Sequence, residues 1–152
     1  MGPLVLPCAL GRGGRSNRKR EGDGATPSGT WHMVAVLYRA DRIQRPRTAL
    51  PVRPLEADDG WCDAVGDSNY NRWVRHPYPA SAEHLWREDA LYDVIVVLDH
   101  NRMPRVQGAG SAIFIHVARP GYHPTEGCIA LARRHLLLML ARVGRGARVA
   151  VG

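Results

Sequence analysis

The sequence predicts a mainly β domain with a long irregular loop and one C-terminal amphipathic helix. Three observations carry that expectation. Sixteen glycines and eleven prolines among 152 residues call for many turns and leave little room for a helical bundle. Two runs, Tyr92–Leu98 and Ser111–Val117, are apolar and rich in β-branched side chains, the pattern of buried strands. A single longer stretch, Ala132–Val143, sets Leu136, Met139, Leu140 and Val143 at i, i+3, i+4 and i+7, which is one apolar helix face.

The elements follow in order. Residues 1–30 read as loop, with Gly11-Arg12-Gly13-Gly14, a basic run Arg15–Arg20 and the turn-forming Gly22-Asp23-Gly24-Ala25-Thr26-Pro27-Ser28-Gly29. The basic run suits a solvated loop or, more sharply, an anion-binding patch. Met33–Tyr38 is a strand candidate, and Arg39–Pro54, rich in arginine and proline, an extended surface connection. Asp58–Arg75 mixes Asp, Gly, Asn, Trp and Tyr without a period; a long irregular loop of this kind often carries function. Ser81–Asp89 reads as a short helix capped by Ser81, with Glu83 in its first turn. Asp99–Gly110 is a loop between the two apolar strands, Gly144 stops the C-terminal helix, and Arg148–Val151 forms a last short strand. No internal repeat is present. The length fits one domain over residues 1–152.

A net charge of +7 favours anionic partners without choosing among nucleic acid, membrane surface and acidic polymer. A recognition helix, a zinc module and clustered aromatics are all missing, so a nucleic-acid partner is not expected. Cys8, Cys62 and Cys128 cannot all pair within one molecule. The spacing lacks CxxC and CxxH, and His116, His123 and Cys128 fit no familiar zinc pattern, so neither metal nor cofactor is expected. No run reaches the roughly 18 apolar residues of a membrane span. The opening Met1-Gly2-Pro3-Leu4-Val5-Leu6-Pro7 is short, broken by prolines and without a basic leader. It makes a poor signal peptide, so either export does not use that route or the true start lies upstream.

The informative segment runs from Ile113 to Leu131. An apolar strand delivers His116 at its end, a loop with two prolines and a glycine returns to Gly127-Cys128, and a helix begins shortly afterwards. A thiolate is the nucleophilic form of cysteine, and a nearby imidazolium or helix N-terminus lowers the thiol pKa towards neutrality. Gly127 lets the main chain approach a carbonyl, making the Gly127 and Cys128 N–H groups oxyanion-hole candidates. Spacing alone leaves open the plainer readings, in which Cys128 is a buried small hydrophobe and His116 a structural histidine.

The segment resembles the signature of the L,D-transpeptidase (YkuD-type) catalytic domain: a histidine on a strand, a variable loop, then Ser or Thr, any residue, Gly and Cys. His116, Thr125, Gly127 and Cys128 occupy those places. Gly24-Ala25-Thr26-Pro27-Ser28-Gly29 and the residues before it resemble the Gly-x-x-Thr-Pro-x-Gly turn of the family, so the likeness covers most of the chain. It departs in three ways. Glu126 stands where histidine is usual, Ala130 where Arg or Asn is common, and the loop from His116 to Cys128 is short.

The resemblance implies a β-sandwich and a cysteine-dependent acyl transferase working on peptidoglycan stem peptides in the cell envelope or periplasm. Cys128 would be the nucleophile, His116 the general base and acid, Gly127 part of the oxyanion hole, and the Val117 carbonyl the group that orients the imidazole. Thr125 and Glu126 would border the substrate. Tyr70, Asn71 and Arg72, in the irregular loop, are candidate substrate-binding donors. The rival reading is a non-catalytic cell-wall or anionic-polymer binding domain of the same fold.

Overall fold

The computed structural model describes residues 2–152; Met1, part of the opening apolar stretch, lies outside them. In chain order the strands are β1 (Arg15–Ser16), β2 (Thr26–Pro27), β3 (Gly29–Tyr38), β4 (Val52–Pro54), β5 (Asp59–Cys62), β6 (Trp73–Arg75), β7 (Ala82–His84), β8 (Val94–Leu98), β9 (Phe114–Val117) and β10 (Ile129–Leu131). The helix α1 (Arg133–Arg142) and strand β11 (Arg148–Val151) complete the chain. The main sheet has the order β10-β9-β8-β3-β11, with β4 also paired to β3, and a second sheet has the order β6-β5-β7.

Burial on both faces explains why β8 reads as an unbroken apolar run. Val94, Val96 and Leu98 point into one apolar cluster, which α1 covers with Leu136, Met139 and Leu140. Ile95 and Val97 point into the other, where Trp61 of β5 and Leu85 just after β7 meet them together with Tyr92, which precedes β8. The result is a mainly β sandwich with one C-terminal helix, the fold the sequence predicts. The same alternation sorts β9. Ile115 and Val117 face the helix side, while Phe114 faces the second sheet and His116, two residues on, shares its face.

Four local expectations are corrected. Ser81–Asp89 holds no helix; β7 pairs with β5, with Gly60 opposite His84 and Trp61 opposite Glu83. Ser81 Oγ donates to Asp63 at 2.6 Å instead of capping a helix, so cross-strand pairing outweighs the local capping signal. Asp58–Arg75 is not wholly irregular, because β5 and β6 lie within it. Their pairing is fixed by the buried Asp59 carboxylate, which accepts from the Glu56 amide at 2.8 Å and Trp73 Nε1 at 2.6 Å. The first thirty residues are more than loop. β1 and β2 pair in parallel, and Ala9 exchanges backbone bonds of 2.8 and 2.9 Å with Ala130 along the outer edge of β10. Those bonds cover a strand edge that is otherwise open to pairing with another chain. The strand expected at Met33–Tyr38 begins earlier, at Gly29, because Gly29–His32 pairs with β11.

Candidate active site

His116 and Cys128 both line the floor of a cleft of about 860 Å³ between the two sheets. The register of β9 and β10 brings them together. The strands are parallel with Ala130 beside His116 and Ile129 beside Ile115, which sets Cys128 level with Phe114 on the face that carries His116. A two-residue step along the strand and one strand across separates their Cα atoms by roughly 8 Å. Ala130, 1% exposed, lies directly next to His116 on the cleft side. A long polar side chain at that position would crowd the imidazole, and the methyl group leaves the ring its space.

His116 is 4% exposed, and its Nδ1 lies 2.9 Å from the Val117 carbonyl. A carbonyl only accepts, so the proton sits on Nδ1 and Nε2 keeps its lone pair. Burial, only partly opposed by that bond, lowers the His116 pKa below the ordinary 6.5. The Cys128 sulfur is held on two sides. Its S–H donates to the Ala112 carbonyl at 3.1 Å, and the Phe114 amide donates to it at 3.4 Å. Burial pushes the Cys128 thiol up to about 12, and the Glu83 carboxyl adds to the rise, while the Phe114 amide and Lys19 oppose it. Desolvation disfavours both charged forms, raising the thiol and lowering the imidazole, and so opposes the lowering of the thiol pKa that a nearby imidazolium would bring. The helix contributes nothing to the thiol either, because β10 stands between Cys128 and Arg133.

The loop before Cys128 is shaped by Thr125 and Gly127. Thr125 Oγ1 donates to the Cys128 carbonyl at 2.6 Å and accepts from the Gly127 amide at 3.1 Å. Gly127 has φ +141, and a Cβ there would stand 3.0 Å from the Ala25 carbonyl, so the glycine is required both by conformation and by space. From the other side, Gly11 donates to the buried Thr26 Oγ1 at 2.8 Å. A Cβ on Gly11 would meet the Gly24 carbonyl at 2.1 Å and the Gly127 Cα at 3.0 Å. The Ala25-Thr26-Pro27 turn thus acts as a buttress under the cysteine loop. Glu126 is exposed at the rim and pairs with Arg12 Nε at 2.9 Å, where water screens the bond and leaves it little energetic weight.

Tyr70, Asn71 and Arg72 are not brought to this cleft. Tyr70 is fully buried; its hydroxyl donates to Glu21 at 2.8 Å and accepts from the Gly110 amide at 3.0 Å. Asn71, 3% exposed, spends its whole amide internally. Its Oδ1 accepts from Trp61 Nε1 at 2.9 Å and the Ala112 amide at 3.1 Å, and its Nδ2 donates to the His100 and Asn101 carbonyls. Arg72 lines a different groove, on the β6 side. Asn71 is consequently a structural residue of the site: it fixes Ala112, whose carbonyl holds the Cys128 sulfur. Asn71→Ala should cost about 4 kcal/mol, since two buried donors lose their acceptor and alanine is strained at φ +56. Denaturant unfolding checks this, with Arg72→Ala as a surface control expected within about 0.5 kcal/mol of the parent.

The sequence reading passed over other cleft residues. Glu83, assigned to a helix by its capping context, reaches the cleft from β7, and its carboxyl accepts a short bond from the Tyr92 hydroxyl. Burial pushes Glu83 up to about 7 against the opposing pull of Tyr92 and Arg87. The Tyr92 ring lies edge-on to His116 at 5.3 Å between centroids. Lys19, its side chain 6% exposed and ion-paired with Asp23, also lines the cleft. The Glu83 signal was a single carboxylate in a short segment of ambiguous period, and no local pattern separates such a residue from a helix start.

The profile of the L,D-transpeptidase catalytic domain (YkuD) matches residues 3–151, nearly the whole chain. No curated protein and no solved structure gives a significant match.

Proposed function

Because the chain belongs to the L,D-transpeptidase catalytic domain family, we propose that it is a cysteine-dependent acyl transferase acting on peptidoglycan stem peptides. The observation that supports this most is the placement of His116 and Cys128 on one face of the β9–β10 pair, at the floor of one cleft.

The chemistry starts from a neutral thiol and a neutral imidazole. As Cys128 Sγ attacks the carbonyl of the L-to-D bond at the third stem residue, His116 Nε2 takes the thiol proton, so no free thiolate accumulates. The Cys128 amide, joined by the Gly127 amide once it leaves Thr125 Oγ1, donates to the tetrahedral oxyanion. Collapse breaks the C–N bond, the imidazolium returns its proton to the departing D-alanine amine, and a thioester remains on Cys128. An amine from a neighbouring stem then attacks the thioester and forms a crosslink; water in its place gives a carboxypeptidase. The substrate sets the place of work in the cell envelope. Among the described residues no helix is long and apolar enough to cross a membrane.

A β-lactam of the carbapenem type tests this reading. Intact-protein mass spectrometry should show one covalent adduct, and peptide mapping should locate it on Cys128. A folded protein that gains no adduct would leave the binding module of the same fold as the better description.

A further inference from the structure

A second surface, on the β6 side of the smaller sheet, carries cations without counter-ions. Arg72, Arg102 and Arg105 form no ion pair among the described residues. They lie close enough to repel one another: burial, then the charges of Arg72 and Arg102, lower the Arg105 pKa. Its Nε is buried without a hydrogen-bond partner. Arg72 and Arg102 line a groove of about 530 Å³ with Trp61 and Trp73, and the Arg102 guanidinium stands 5.7 Å from the Trp61 ring centre. Glu56, the one acid lining that groove, is already paired with Arg75, so the three arginines keep an excess of positive charge that an anion outside the fold would offset.

The same surface exposes apolar side chains. Seven large hydrophobic residues are exposed among the described ones, and four of them, Val65 (59%), Trp73 (43%), Met103 (95%) and Val106 (55%), collect here. Met103 stands in a projecting loop flanked by Arg102 and Arg105. Asn101 closes the base of that loop, donating to the Val106 carbonyl and accepting from its amide, both at 2.8 Å. Val65 is tied to the same region through the Gly66 amide, which donates to Gln107 Oε1 at 2.7 Å.

We infer that this face docks on an anionic lipid surface, with Met103 and Val106 entering the headgroup boundary and Arg72, Arg102 and Arg105 meeting lipid phosphates. Guanidinium groups match phosphate geometry, and an apolar tip ringed by cations is the arrangement of interfacial anchors. A soluble acidic polymer would satisfy the arginines and return nothing for Met103, which is why the bilayer is the better fit. The inference is independent of the chemistry in the cleft. β7 borders the cleft and β6 the lipid-facing groove, with β5 between them, so docking leaves the cleft about 10 Å to the side.

Sedimentation with vesicles tests it, using phosphatidylglycerol mixed equally with phosphatidylcholine against phosphatidylcholine alone. The parent protein should bind the anionic vesicles at least about tenfold more tightly. Arg72→Ser with Arg102→Ser should lose that preference, and Met103→Gln, which leaves the charge unchanged, should weaken binding about fivefold. Circular dichroism of each variant should match the parent, and the single exposed change Arg72→Glu repeats the charge test without touching the Trp61 contact. Failure of the parent to bind either vesicle overturns the inference. So does binding that Met103→Gln leaves unchanged and that soluble polyglutamate or duplex DNA competes away, because such a surface reads charge alone.

Discussion

Cys128→Ala is expected to take no acyl group from a carbapenem or from a stem peptide, while its melting temperature stays within a few degrees of the parent. The first half follows from the role proposed for Sγ, since no other thiol can stand in. Cys62 is fully buried in β5 and Cys8 lies on the exposed N-terminal segment. The second half follows from the contacts. The sulfur is held by one carbonyl and one amide, and removing one atom from this half-buried position leaves a small gap on the cleft floor, open to water. Undiminished acylation of the alanine variant would remove Cys128 from the nucleophile's role; loss of acylation together with collapse of the fold would show only that the residue is structural.

His116→Gln should slow acylation by about three orders of magnitude at neutral pH, and its pH profile should change shape. In the parent, His116 has a pKa below 6.5, so the base stays unprotonated through neutrality. The rate should therefore be flat there and fall only as pH drops through that lowered value. Without the imidazole, reaction waits on ionisation of a thiol pushed up to about 12. The rate of the variant should then climb close to tenfold for each pH unit across the neutral and alkaline range, narrowing the gap to the parent as hydroxide replaces the base. A glutamine variant with parental rates at pH 7 would exclude His116 as the base. A uniform loss with no change in pH dependence would make it a structural residue.

What could be read in advance follows how local each signal is. β8, β9 and α1 were legible because burial on two faces, or on one helix stripe, writes its period into consecutive residues. That Cys128 and His116 share one cleft was expected from the family resemblance, since the spacing by itself left both open to plainer structural readings. Asn71 was misjudged since a polar side chain in an irregular segment looks alike whether it faces substrate or four buried backbone and indole groups; only the fold distinguishes them. Ser81 and Glu83 carry a sound capping pattern that β5, some twenty residues earlier, overrides by pairing. The charge state of His116 and Cys128 was beyond sequence altogether, because it depends on how much water the folded cleft excludes.

The buttress beneath the cysteine loop has a consequence for how the molecule comes into being. Arg12 meets Glu126 across 114 residues of chain, and Glu21 meets Ser111 across 90. Arg12 and Glu21 therefore wait for Glu126 and Ser111 to be synthesised before they find these partners. Closing such long loops costs entropy before any contact repays it, which places this chain among the slow folders, in the millisecond-to-second range. Until Thr125 and β10 arrive, residues 9–12 have nothing to pair with, and the cleft lacks its floor. On the proposed chemistry, competence to react should be a late event in folding, and carbapenem labelling during refolding would time it directly.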